Sequence, residues 1–193
     1  MENEQNSEKQ AFLMPIDSVF NVTGRGTVVT GCVKSGVIHK GDELEIVGCN
    51  ETRKTVAVQV EKFRQLLDEA KAGDNIGVQL RGVKKEDITP GQVLATPGTA
   101  VAHSKFEAKC LVLAEKEGGI PVCHKALLQF GFNTIEVTGQ ILLPDGADKV
   151  MPKNSADVTV ELLYPLVMDE GTSFPVFKGK KKIATGVISK ILK

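Results

Sequence analysis

The sequence predicts an all-β protein built as two antiparallel β-barrels in tandem, and three observations carry that prediction. Val, Ile, Leu and Thr alternate with polar residues in short runs along most of the 193 residues, the period-two pattern of half-buried strands. Gly, Pro, Asn and Asp break those runs at close intervals, as they do in barrels and sandwiches. A charge-free stretch at mid-chain, Thr96-Pro97-Gly98-Thr99-Ala100-Val101-Ala102-His103, reads as a hinge. It divides the chain into barrels over residues 11–97 and 98–193, after a polar tail over residues 1–10. Each half has the size of a small domain.

Taken in order, strands are expected near residues 11–20, 26–34, 42–47, 54–62, 75–81 and 92–95 in the first half. The second half adds 105–114, 125–132, 135–142, 156–164, 172–178 and 182–192. One segment has helical spacing: in EKFRQLLDEAKAG, Phe63, Leu66 and Leu67 fall on one side, and Gly73 stops the run. It predicts at most two helical turns over residues 62–71.

The stretch VTGRGTVVTGCVKSG, residues 22–36, begins like a phosphate-binding loop, with four residues between Gly26 and Gly31. Such a loop continues with Lys and Ser or Thr and opens a helix. Here Cys32 and Val33 follow, and β-branched Thr27, Val28, Val29 and Thr30 fill the gap. The stretch therefore reads as a strand. Gly24 and Gly26 flank Arg25 in a turn, and Gly31 marks a bulge or a close backbone approach.

Composition excludes several function classes. No apolar run of about 18 residues predicts a membrane helix. The opening MENEQNSEKQ lacks the apolar stretch of a secretory signal and the arginines of a transit peptide. Lys plus Arg is 24 and Asp plus Glu is 24, so bulk charge drives no nucleic-acid binding. The distribution is uneven: the last arginine is Arg81, and residues 98–193 carry 12 Lys against 10 acids. Phosphate contacts in that half must use point charges instead of forked guanidinium groups. Cys32, Cys49, Cys110 and Cys123 show no metal-type spacing. They are expected to be free, mostly buried thiols in a reducing compartment, the cytoplasm or an organelle matrix. Cys123 and His124 are adjacent, so on a strand they point to opposite faces and form no nucleophile–base pair.

The segment FLMPIDSVFNVTGRGTVVTGCVKSGVIHKGDELEIVG resembles the second domain of elongation factor Tu, and the likeness continues through VEKFRQLLDEAKAGDNIGVQLRGVKKEDITPGQVLATPGT. HSKFEAKCLVLAEKEGG, EVTGQILLPDGADKVMP and TVELLYPLVMDEGTSFPV are similar to the third domain of that family. The resemblance covers residues 11–193 and implies barrels of the translation-factor type. The family's GTPase domain would precede this region, and its P-loop and N-K-x-D motif are not found. No GTPase activity, metal or cofactor is therefore expected of this chain, which reads as an excised fragment or as a natural protein without that domain.

The resemblance implies binding of the aminoacylated 3′ end of tRNA by Asp17, Phe20, Thr30, Glu61 and Asn75. Phe20 would wall the amino-acid pocket, although it also suits ordinary barrel core. The Glu61 stem would lie against the terminal adenine while its carboxylate accepts a hydrogen bond. Gly24 and Arg25 match a turn that approaches ribosomal RNA. The third domain departs from the family: an Arg-His-Thr run is replaced within EGGIPVCHKALLQFGF, and a Gly-Gly-Arg turn has become KGKKKIATG. Lys178, Lys180, Lys181 and Lys182 remain as phosphate contacts, or as a charged hairpin tip that keeps a sheet edge soluble. Expected partners are aminoacyl-tRNA and the ribosome, with a separate GTPase domain or another protein as a further one, and no membrane. The competing expectation is a structural or regulatory subunit that kept the barrels for protein contact and lost tRNA binding.

Calorimetry with GTP or GDP should give no binding above background. Micromolar binding that survives Gly26→Val would contradict this reading of the glycines.

Overall fold

Alternation becomes architecture in a computed structural model that describes residues 10–193. The polar tail expected over residues 1–10 lies outside the described residues, apart from Gln10. The chain is almost entirely β and separates into two units between Val101 and Ala102.

The first unit holds β1 (Leu13–Pro15), β2 (Ser18–Val22), β3 (Gly26–Cys32), β4 (Val37–His39), β5 (Glu43–Gly48), β6 (Asn50–Lys62), β7 (Gln65–Leu67), β8 (Glu69–Lys71), β9 (Asn75–Leu80) and β10 (Val93–Ala95). Its main sheet runs β1-β10-β5-β6-β9-β3-β2, with β7 hydrogen-bonded to β6 and a separate β4–β8 ribbon. The first and last strands of that order are consecutive in sequence and only Ile16 and Asp17 separate them. So short a link lets the chain pass between edges only because the sheet curls. Backbone bonds stitch the seam: Ile16 N–H donates to the Gln92 carbonyl at 2.9 Å, Asp17 N–H to the Thr30 carbonyl at 2.8 Å and Leu13 N–H to the Ser35 carbonyl at 3.0 Å. Alternate residues face inward, and Met14, Ile16, Val29, Ile46, Val60, Val78 and Leu94 form the core.

Gly31 sits at the seam. A Cβ there would stand 2.1 Å from the Pro15 carbonyl oxygen, so the close backbone approach read from the sequence is present. β3 itself occupies the place of the rejected phosphate loop, with Val28 and Val29 buried.

The second unit is a closed antiparallel barrel of order β11-β16-β14-β13-β17-β18. Its strands are β11 (Ala102–Val112), β13 (Leu127–Phe132), β14 (Ile135–Leu142), β16 (Ser155–Val167), β17 (Ser173–Lys178) and β18 (Lys181–Ile191). β12 (Val122–Cys123) and β15 (Lys149–Val150) form a small ribbon beside it. Phe106, Phe130, Phe132 and Phe174 meet in the core with ring centroids 5.4 to 6.0 Å apart, in edge and tilted contacts that favour aromatic quadrupoles. Gly186 clears space for this cluster, since a Cβ there would lie 2.4 Å from Phe174 Cζ.

The expected helix over residues 62–71 is absent. Those residues form a tight hairpin in which Lys62 pairs with Gln65 across the two-residue turn Phe63-Arg64, followed by β8. Phe63 and Arg64 both take positive φ, 51° and 63°, as a type I′ turn requires. The helical spacing of Phe63 and Leu66 reflects no buried face, because Phe63 is 87 % and Leu66 60 % exposed. Among the described residues helix is confined to two single 3₁₀ turns, Lys85–Asp87 and Glu115–Glu117.

Gly31→Ala should destabilise the first unit by about 2 kcal/mol or more, the range of forced overpacking, and chemical denaturation measures it. A loss below about 0.5 kcal/mol would show that the seam is not tight.

Candidate functional site

The ladder register aligns residues that are far apart in sequence. Ser18 on β2 pairs with Thr30 on β3, Thr30 with Gly77 on β9, Gly77 with Glu61 on β6, and Glu61 with Leu66 on β7. Cross-strand partners share a face, and so do residues two apart on one strand. Phe20 therefore joins Thr30 and Glu61, and so does Asn75, which pairs with Cys32. This face points away from the core, because Val19, Val29, Val60 and Val78 on the alternate positions are buried in it. From β2 to β6 the face spans three strand spacings, about 14 Å.

Four of the five expected 3′-end residues, Phe20, Thr30, Glu61 and Asn75, thus share one surface, and Asp17 lies exposed at its edge just before β2. Phe20 is 50 % exposed, which rules out the barrel-core alternative. Glu61 lies flat across β9, because a Cβ at Gly77 would come within 3.1 Å of Glu61 Cγ.

Gly24 and Arg25 form the β2–β3 turn, with Gly24 and Gly26 at φ 80° and 83°. The sequence reading assigns Arg25 and Glu61 to separate sites, yet the Arg25 Nη1 donates to Glu61 Oε2 at 2.9 Å. Gln79 Nε2 donates to the Arg25 carbonyl at 2.6 Å and ties the turn to β9. A second pair lies next to it: Lys62 Nζ donates to Asp74 Oδ1 at 2.7 Å, while Asp74 Oδ2 accepts the Lys71 N–H at 3.0 Å. The hydrogen bond from Lys62, then that from Lys71, holds the Asp74 carboxyl below its ordinary value. Asp74 thereby fixes the turn that presents Asn75 and anchors the end of β6 that carries Glu61. On this surface Arg25 is paired with Glu61, while Lys62 and Asp74, on the alternate positions, pair at its end.

Sequence reasoning missed Leu66, Gly77 and Gln79. Leu66 lay inside the expected helix, while Gly77 and Gln79 gain meaning only from register. The hairpin could not be read from turn residues, since neither Asn nor Gly stands at positions 63 and 64.

Lys178, Lys180, Lys181 and Lys182 form the exposed tip of the β17–β18 hairpin, with Lys178 paired to Lys181 across Gly179-Lys180. Among the described residues no acid comes within 4.0 Å of these four. Lys181 lies along the Gly118 loop, its Cε 2.9 Å from where a Cβ of Gly118 would stand.

All four cysteines are free. The expectation that they are mostly buried fails: Cys32 and Cys123 are exposed and Cys49 is half-buried. Their positions on outward faces and in a turn account for this. Burial pushes the Cys110 thiol up to about 11 and raises Cys49 as well, which suppresses thiolate chemistry. His124 accepts the Leu143 N–H at its Nδ1, 3.0 Å away, a backbone contact and not a base for Cys123. Among the described residues no three or more His, Cys, Asp or Glu side chains gather as metal ligands would. Among the described residues no helix is long and apolar enough to cross a membrane.

Comparison with protein families gives two matches. Residues 26–95 match the model for elongation factor Tu domain 2, and residues 99–192 match the model for the elongation factor Tu C-terminal domain. The first match falls within the first unit, and the second spans the second unit and begins three residues ahead of it, at residue 99.

Asp74→Asn should lower stability near neutral pH by about 1 kcal/mol, the scale of a partly exposed ion pair. The depressed carboxyl contributes stability that is present above the ordinary Asp value of about 3.9 and is lost as pH falls through its folded-state value. Wild-type stability should therefore drop more steeply below about pH 4 than that of Asp74→Asn, measured by denaturant midpoints across pH. Parallel curves would show that the Lys62–Asp74 pair contributes nothing.

Proposed function

Because the chain belongs to the elongation factor Tu family, of which it carries domain 2 and the C-terminal domain, we propose that this translation-factor-type module binds the 3′ end of aminoacyl-tRNA on the outer face of β2, β3, β9 and β6. The observation that supports this most is the half-exposed Phe20 on the same face as Thr30, Glu61 and Asn75. An exposed ring beside a carboxylate and an amide offers stacking and edge contacts, the means by which single-stranded RNA ends are recognised. Arg25 contacts phosphate of ribosomal RNA in the same reading. The module hydrolyses no GTP by itself and works in the cytoplasm or an organelle matrix, with a GTPase domain or another protein as a further partner.

The pairing of Arg25 with Glu61 on the face limits the affinity. Arg25 already has an acid partner, so the face offers RNA little net attraction. The lysines of the β17–β18 hairpin add a salt-sensitive pull without fixed geometry. The resulting Kd is about micromolar or weaker, near −8 kcal/mol.

A second reading, a protein-interaction subunit without tRNA binding, draws support from the second unit. There a groove of about 760 Å³ runs along the barrel surface beside Leu111 and Val187, which are 46 % and 43 % exposed.

Fluorescence titration with charged and uncharged tRNA separates the two. Phe20→Ala and Glu61→Ala should each weaken binding and remove any preference for charged tRNA. Replacing Lys180, Lys181 and Lys182 with Ala should flatten the salt dependence and keep the preference. Loss of preference in the lysine variant alone would overturn the assignment of the face. Absence of binding even at low salt would favour the second reading.

A further inference from the structure

The Arg25–Glu61 ion pair is held at both ends. Gly24 and Gly26 set the turn with φ of 80° and 83°, and Gln79 fixes the Arg25 carbonyl at 2.6 Å. The guanidinium reaches back over β9. On the other side, the bare Cα of Gly77 leaves the floor on which the Glu61 chain rests, 3.1 Å from Cγ and 3.2 Å from Oε1 to a hypothetical Cβ. The carboxylate then accepts Arg25 Nη1 at 2.9 Å. Lys62, the next cation along β6, is engaged by Asp74 at 2.7 Å and does not replace Arg25.

We propose that Arg25 is an internal counter-ion for Glu61 that couples occupancy of the 3′-adenosine face to occupancy of a phosphate site at the β2–β3 turn. The inference rests on the reading of Glu61 as an adenosine contact. A hydroxyl or amine donor of the adenosine that takes the Glu61 carboxylate releases the guanidinium. A phosphate oxygen that takes the guanidinium releases the carboxylate. Either ligand alone must break the pair, whereas both together break it only once, so each favours the other. The coupling is reciprocal by linkage. The two side chains are 47 % and 31 % exposed, which limits the effect to about fivefold or less.

The test uses the whole chain with adenosine, which carries no phosphate, and inorganic pyrophosphate as the anion, both followed by amide shifts in NMR titrations. Arg25→Met should tighten adenosine binding about two- to fivefold, and Glu61→Gln should tighten pyrophosphate binding by a similar factor. In the wild type, saturating pyrophosphate should tighten adenosine; in Arg25→Met it should not. Arg25→Lys, which keeps the charge and the turn, should retain the direction of the wild-type effect. An Arg25→Met chain that binds adenosine no better than wild type, while Glu61→Gln and Phe20→Ala weaken adenosine, overturns the coupling and leaves the proposed face intact. Adenosine binding insensitive to Glu61→Gln and Phe20→Ala, or no adenosine binding in any form, overturns both. Unchanged amide spectra away from the β2–β3 turn and β6 show that each variant is folded.

Discussion

The first unit depends on a backbone crossing. The chain passes from β1, at one end of the sheet order, to β2, at the other, through Ile16 and Asp17 alone. To do so it lays the Pro15 carbonyl where any side chain at position 31 would stand. The curl that results puts β2 beside β3, which puts Phe20 on the same surface as Thr30. A flat sheet with the same strands would leave its two ends six places apart in the order and could not use so short a link. The outward face is a consequence of that curl.

Charge at that face and at its end is arranged in local pairs. Glu61 has Arg25 and Asp74 has Lys62, and each pair links a turn to a strand. Such exposed pairs contribute little to stability individually. In the proposed function their larger effect is on recognition: a ligand reaches the Glu61 carboxylate or the Arg25 guanidinium only by displacing its partner. The second unit follows the opposite scheme, with four lysines unopposed at a hairpin tip. In the proposed function, long-range attraction and fixed contact geometry thus belong to different units.

Much of this was legible in the sequence because it follows from local rules. Period-two alternation located nearly every barrel strand, and Thr27 to Thr30 between glycines read as strand because β-branched residues crowd a helix. Gly31 could be read as a close approach because a glycine within a strand usually answers to a neighbour. The Phe63-Arg64 turn was not legible, because these residues adopt left-handed backbone that tertiary pairing of β6 with β7 imposes against their preference. The short β4–β8 and β12–β15 ribbons have too few residues to show a period. The residues expected to hold the 3′ end came from family resemblance, and only register brought four of them onto one face. Contact between Arg25 and Glu61, 36 positions apart, lies beyond any local pattern.

The central claim is that the outer face of β2, β3, β9 and β6 is the RNA-binding surface. Amide shift mapping with an aminoacylated minihelix ending in CCA tests it most directly. The account predicts that shifts concentrate at Phe20, Thr30, Glu61, Asn75 and Gly77, in rows that follow the ladder across four strands, with only small, salt-dependent changes at Lys178 to Lys182. Shifts confined to the lysine hairpin, with the four-strand face silent, would contradict it.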